Sequence, residues 1–177
     1  MRVKQAGMKT SRARPLYSAQ ERYRRDHSKW TLVQGILAPI QFVIFIVSLG
    51  LVLRYFATGD GAAAAIASIV VKTIALYTIM ITGCFWEKDV YGQYLFAPAF
   101  FWEDAVSMLV LVLHTAYLTA LIMGWGSITD QFAIALAGYA AYVINATQFI
   151  LKLRAARLHS SPRQGTNALP SSLANAK

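Results

Sequence analysis

Glu103 and His114 stand eleven positions apart, close to three helical turns, with Ser107 between them on the same face. A carboxyl group and an imidazole on one helical stripe can give and take protons, which is general acid–base chemistry. Lys72, Gln41, Tyr142 and Asn145 interrupt otherwise apolar runs at comparable depth. Tyr142, Asn145 and Gln148 follow one another at three-residue steps and share a face, and Gln34, Gln41 and Ser48 recur every seven residues. Glu87, Lys88, Asp89, Glu103 and Asp104 bracket an aromatic run that ends at Trp102. Carboxyls set against aromatic surface tend to keep their protons, and such a group can be a donor near neutral pH. Each residue also has a structural use. Lys72 can pair with a carboxylate, His114 can bond a backbone carbonyl, and Gln41 and Asn145 can serve as polar glue between helices. The single cysteine, Cys84, excludes an intramolecular disulfide and a cysteine-built metal site.

The elements that must position these residues are legible in the composition. Of 177 residues, 56% are hydrophobic and 14% charged, against about 25% charged in an ordinary soluble domain. So few charges cannot clothe a soluble globule. Four nearly uncharged runs, about 32–54, 62–86, 104–125 and 131–152, each suffice for a hydrocarbon core of about 30 Å, which takes roughly 20 helical residues. The short links Ala57–Gly61 and Gly126–Asp130 make neighbours antiparallel. The fold predicted is all-α, an integral membrane four-helix up-down bundle, with a lipid bilayer as its first partner. Trp30, Trp86, Trp102 and Trp125 fall at the ends of the runs, where amphipathic rings meet headgroups.

The net charge of +9 comes from 17 Lys and Arg against 8 Asp and Glu. These bases flank the apolar block, leaving only Arg54, Lys72 and Lys88 between Trp30 and Leu151. That placement argues against nucleic acid and, by the positive-inside rule, puts both termini in the cytoplasm. Residues 1–29 are predicted as a basic cytoplasmic segment too polar for a cleavable signal, with a short lipid-attracted surface helix as an alternative. Residues 30–158 form the membrane domain, and 159–177, rich in Ser, Asn, Pro and Ala, a flexible tail. The location expected is the inner (cytoplasmic) or intracytoplasmic membrane, as a multi-pass protein.

Several long words of the sequence resemble a known family. Trp30-Thr31-Leu32-Val33-Gln34-Gly35-Ile36-Leu37-Ala38-Pro39-Ile40-Gln41-Phe42, Trp86-Glu87-Lys88, Tyr94-Leu95-Phe96-Ala97-Pro98-Ala99-Phe100-Phe101-Trp102-Glu103-Asp104 and Leu111-Val112-Leu113-His114-Thr115-Ala116-Tyr117 are similar to the 3-vinyl bacteriochlorophyllide hydratases of anoxygenic phototrophic bacteria. The resemblance runs from about Pro15 to Leu158. It implies a lyase of bacteriochlorophyll biosynthesis that adds water to the ring-A vinyl group of a chlorophyllide-type Mg-tetrapyrrole, giving a hydroxyethyl group. The family brings no catalytic residues with it, so the site is inferred from this chain.

Hydration of such a vinyl group protonates its terminal carbon and leaves a cation beside the ring, which the macrocycle delocalises. The reaction needs an acid, a base to guide water and a flat apolar cavity. Glu103, set beside Phe100, Phe101 and Trp102, is the leading acid, and Asp104 or Glu87 the partner that orients water. His114 has two uses, as the base or as a ligand to the substrate's Mg. Lys72 can meet the pigment's propionate or a protein carboxylate. Gln41, Tyr142, Asn145, Gln148 and Trp102 complete the expected substrate contacts. No glycine-rich nucleotide motif occurs; neither a cofactor nor a metal of the protein's own is expected. Other pigment-biosynthesis enzymes are possible partners. The competing reading is a non-catalytic membrane carrier or assembly factor for the pigment.

Overall fold

The computed structural model describes residues 16–160, so parts of the predicted segments 1–29 and 159–177 lie outside the described residues. Within that range the chain forms five helices: α1 (Ala19–His27), α2 (Lys29–Thr58), α3 (Ala62–Tyr91), α4 (Phe101–Met123) and α5 (Ile128–Ser160). Among the described residues there is no strand. Four helices, α2 to α5, are long and apolar enough to cross a membrane. The fold is therefore all-α as expected, with one more helix than the four spans.

That extra helix has a local cause. Ser18 accepts a hydrogen bond from the Glu21 amide, and Glu21 accepts one from the Ser18 amide, which closes a capping box at the start of α1. Arg24, Arg25 and His27 fall in its last turn, where the helix dipole favours positive charge. Tyr17, just before the cap, is buried against Val90 and Phe100 and ties the segment to α3 and α4. Ser18→Ala is expected to destabilise α1 by about 1 kcal/mol. Faster hydrogen exchange at the α1 amides, with α2 to α5 unchanged, is the measurement that checks it.

The long helices end where their sequences say they must. Gly59 and Gly61 both take positive φ, 77° and 85°, on either side of Asp60. Only glycine adopts that backbone freely. This reverses the chain within a few residues and lays α2 along α3. In the same way α4 packs along α5, and the two pairs meet more sparsely through α3 with α4 and α2 with α5. Trp86 donates its indole N–H to Thr31 at 2.9 Å, and Trp30 stacks on Phe85, pinning α2 to α3 near the α3–α4 link.

Side-chain placement is the reverse of a soluble protein. Ile36, Val43, Val47, Ile74, Val112 and Ile144 face outward, whereas Gln41, Ser48, Lys72, Thr73, Glu103 and His114 are buried. Water would reward the opposite arrangement, and hydrocarbon rewards this one. The chain is a multi-pass membrane protein.

Candidate active site

The polar residues separate into two levels. One lies at the α3–α4 link. The other lies deeper in the bundle, around Lys72 and His114.

At the first level, Glu87 lies on the buried face of α3 one turn before the helix ends, while Glu103 and Asp104 sit in the first turn of α4. All three are buried. The carboxyls of Glu87 and Asp104 are held side by side, each bound by one of two consecutive backbone amides. Two buried carboxyls so placed favour holding one proton between them, because two adjacent carboxylates repel. Consecutive backbone amides clamp the pair: Phe96 N–H donates to Asp104 Oδ2 at 2.8 Å and Ala97 N–H to Glu87 Oε2 at 3.3 Å. The shorter amide bond and the N-terminus of α4 favour charge on Asp104. A proton held by the pair is therefore better placed on Glu87.

Phe96 makes this clamp at a conformational cost. Its φ of 60° is the one left-handed backbone among the described non-glycine residues. Such a conformation costs a non-glycine residue roughly 1–2 kcal/mol, and strain of this kind collects at functional sites. Phe96→Gly is expected to be more stable than Phe96→Ala by about 1 kcal/mol, since both lose the ring and only Ala keeps the strain. Unfolding midpoints of the two variants measure the difference.

Glu103 lies beside this pair but is engaged elsewhere. Its Oε2 accepts from Lys152 Nζ at 2.5 Å, an ion pair between α4 and α5. Lys152 Nζ also stands 4.9 Å from the centre of the Phe100 ring, a cation–π contact. Asn145 donates to the Glu103 carbonyl at 2.8 Å and to Ser107 Oγ at 3.0 Å, so it belongs to this level and not to that of Lys72. Gln148 lies one turn before Lys152, with Oε1 buried and lacking a hydrogen-bond partner. Trp102 is 71% exposed, whereas the carboxyls are buried. It touches Phe101, which touches Phe96, and Tyr94 is exposed in the same link. Together these rings make an aromatic shelf outside the clamped pair.

At the deeper level, Lys72 and His114 are both fully buried. No carboxylate pairs with Lys72 among the described residues. Its Nζ stands 3.9 Å from the centre of the Tyr142 ring instead. His114 Nδ1–H donates to the Val110 carbonyl at 2.8 Å, which leaves the lone pair on Nε2 facing inward without a partner. Gln41 Nε2 is likewise buried and unpartnered, while Ser48 bonds Tyr139 at 2.6 Å. The grooves lie outside: one of about 740 Å³ on α4 and α5 beside Thr115, Thr119 and Trp125, and one of about 280 Å³ on α2 and α3 beside Val43 and Val47. Neither is lined by a residue of either polar level.

Sequence reading overlooked Lys152 as a partner of Glu103 and the Phe96 and Ala97 amides as a clamp. A signal for Lys152 was present: it follows Gln148 by four positions and Asn145 by seven, on the same helical face. The amides carried none, since their direction depends on the left-handed turn.

Fold and site thus define a class: a small multi-pass helical membrane protein with a buried, amide-clamped carboxyl pair beside exposed aromatic rings at one end. A family model described as 2-vinyl bacteriochlorophyllide hydratase matches residues 17–155. The chain is 63% identical over 151 residues to a 2-vinyl bacteriochlorophyllide hydratase of Cereibacter sphaeroides, covering 85% of this chain and 94% of the relative. It is 61% identical over 146 residues to a protein of the same name from Rhodobacter capsulatus, covering 82% and 85%. This chain belongs to the 2-vinyl bacteriochlorophyllide hydratase family. No solved structure matches it.

Proposed function

We propose that this protein is a hydro-lyase that adds water to the vinyl group of a bacteriochlorophyllide-type pigment, with Glu87 and Asp104 as its acid and base. The family membership supports the reaction, and the two buried, clamped carboxyls support the assignment. The Glu87 O–H protonates the terminal carbon of the vinyl group, turning CH2 into CH3 and leaving a cation on the carbon beside the ring. The conjugated macrocycle spreads that charge. Asp104 takes a proton from water as the water oxygen attacks the cation, which gives the hydroxyethyl group. The Asp104 proton then passes back to Glu87, and the pair is reset.

Glu103 was the leading donor on sequence grounds. Its ion pair with Lys152 suits it to holding the site together, and Glu87 takes the donor role. The exposed rings of Phe96, Phe101 and Trp102 offer an apolar face on which a flat pigment can lie with its vinyl edge toward the carboxyls. His114, Lys72, Gln41 and Tyr142 lie deeper between the helices and serve the bundle. The chain crosses the inner or intracytoplasmic membrane as an up-down bundle. Both termini are cytoplasmic, so the carboxyl pair opens to the cytoplasmic interface, where pigment passes to and from other enzymes of its biosynthesis.

A pigment carrier would need a docking face but no paired carboxyls, so the clamped pair favours the enzyme. Purified protein incubated with the vinyl pigment is expected to yield a product heavier by one water, with a matching absorbance shift. Pigment that binds tightly and is recovered unchanged would make the protein a carrier.

A further inference from the structure

Three carboxyl groups lie buried at the α3–α4 link, and among the described residues the ammonium group of Lys152 is ion-paired to one of them. Consecutive amides hold the Glu87 and Asp104 carboxyls side by side, Glu103 adjoins Asp104 in the first turn of α4, and Lys152 is ion-paired to Glu103. The side chain of Lys152 is 26% exposed and that of Glu103 9%, so the pair is only partly screened by solvent. Asn145 and Ser107 lock the first turn of α4, and Phe100 lies under the ammonium group. Lys152 is therefore held in place and touches neither reacting carboxyl by a hydrogen bond.

Charge counting then assigns it a task. With Glu87 protonated, the cluster holds two negative charges and one positive. Removing Lys152 leaves Glu103 uncompensated beside Asp104. Two adjacent carboxylates in a sheltered site are costly, and the proton is drawn away from Glu87 toward them.

We infer that Lys152 is a positioning residue: by neutralising Glu103 beside Asp104, it keeps the shared proton on Glu87, the carboxyl that gives it up. This rests on the hydratase reading for its consequence in turnover, but the proton's location can be read without turnover. Among the described residues, Cys84 and Tyr91 on α3 also lie within electrostatic reach of the pair, and neither carries positive charge.

The test uses the full-length protein in detergent and its infrared absorption from protonated carboxyl groups. In the wild-type background, Glu87→Gln is expected to remove that signal. In the Lys152→Met background the same substitution is expected to leave a signal, because the proton has moved to Asp104 or Glu103. A signal that Glu87→Gln abolishes equally in both backgrounds would overturn the inference. In turnover, Lys152→Met is expected to lower kcat/KM roughly tenfold or more, the effect of moving a proton equilibrium by one pH unit. Lys152→Arg should retain activity. Adding Glu103→Gln to Lys152→Met restores the original charge count and should recover most of the loss, whereas a double variant as impaired as the single one would show a merely structural role. Should wild type bind vinyl pigment and never hydrate it, the hydratase reading fails while the infrared comparison still decides where the proton sits.

Discussion

Glu87→Gln is expected to abolish most hydration while leaving pigment affinity unchanged. The amide keeps the shape of the side chain and can still accept from the Ala97 amide. What it loses is the ability to give a proton to carbon. Positioned acid–base groups contribute about 10²- to 10⁴-fold to rate, so kcat should fall by that factor, roughly 3–5 kcal/mol of barrier. The split between kcat and affinity is the informative part, because a substitution that merely loosened the fold would weaken both. Pigment titration by absorbance and a kcat measurement on the same preparation decide it. Glu103→Gln should cost far less, as that carboxyl serves an ion pair and not the alkene.

Gly138→Ala should cost the most stability. Gly138 lies buried on α5 directly against His114, and a Cβ built there would stand 3.0 Å from both Cε1 and Nδ1 of the imidazole and 3.5 Å from Leu113 Cβ. The ring cannot swing aside freely, since Nδ1 is bound to the Val110 carbonyl at 2.8 Å. Either that hydrogen bond breaks or α5 moves away from α4. Overpacking of this kind costs about 1–3 kcal/mol. The separation would also pull Lys152 away from Glu103, since those residues hang on the same two helices. His114→Ala placed in the Gly138→Ala background should recover part of the loss, a favourable coupling that unfolding midpoints of the two single variants and the double would measure. Strict additivity would mean that the contact is not the cause.

The four long helices were plain in the sequence because uncharged runs of that length leave the chain no other way to satisfy its backbone in lipid. Helical phase was equally readable: Glu103, Ser107 and His114 do share a buried face, as do Gln41 and Ser48. Phase says nothing, however, of how one helix slides against the next. Asn145 was grouped with Lys72 by its depth in its own run, and the register of α5 on α4 sets it beside Glu103 instead. The same blindness hid Lys152, forty-nine residues from its partner. The carboxyl pair itself required knowing that α3 and α4 bring their adjoining ends together and that Phe96 turns left-handed to aim two amides at them. The helix α1 was written in Ser18 and Glu21, but a nine-residue helix rich in arginine is easily taken for a solvated tail.

The most direct test is a structure of the protein with an unreactive pigment bound, one carrying an ethyl group in place of the vinyl. The terminal carbon of that group should lie about 3–3.5 Å from the Glu87 carboxyl, the approach needed for transfer, with the macrocycle against Phe96 and Phe101. A pigment seated in the α4–α5 groove, or ligated by His114 with its ethyl group far from Glu87 and Asp104, would contradict this assignment.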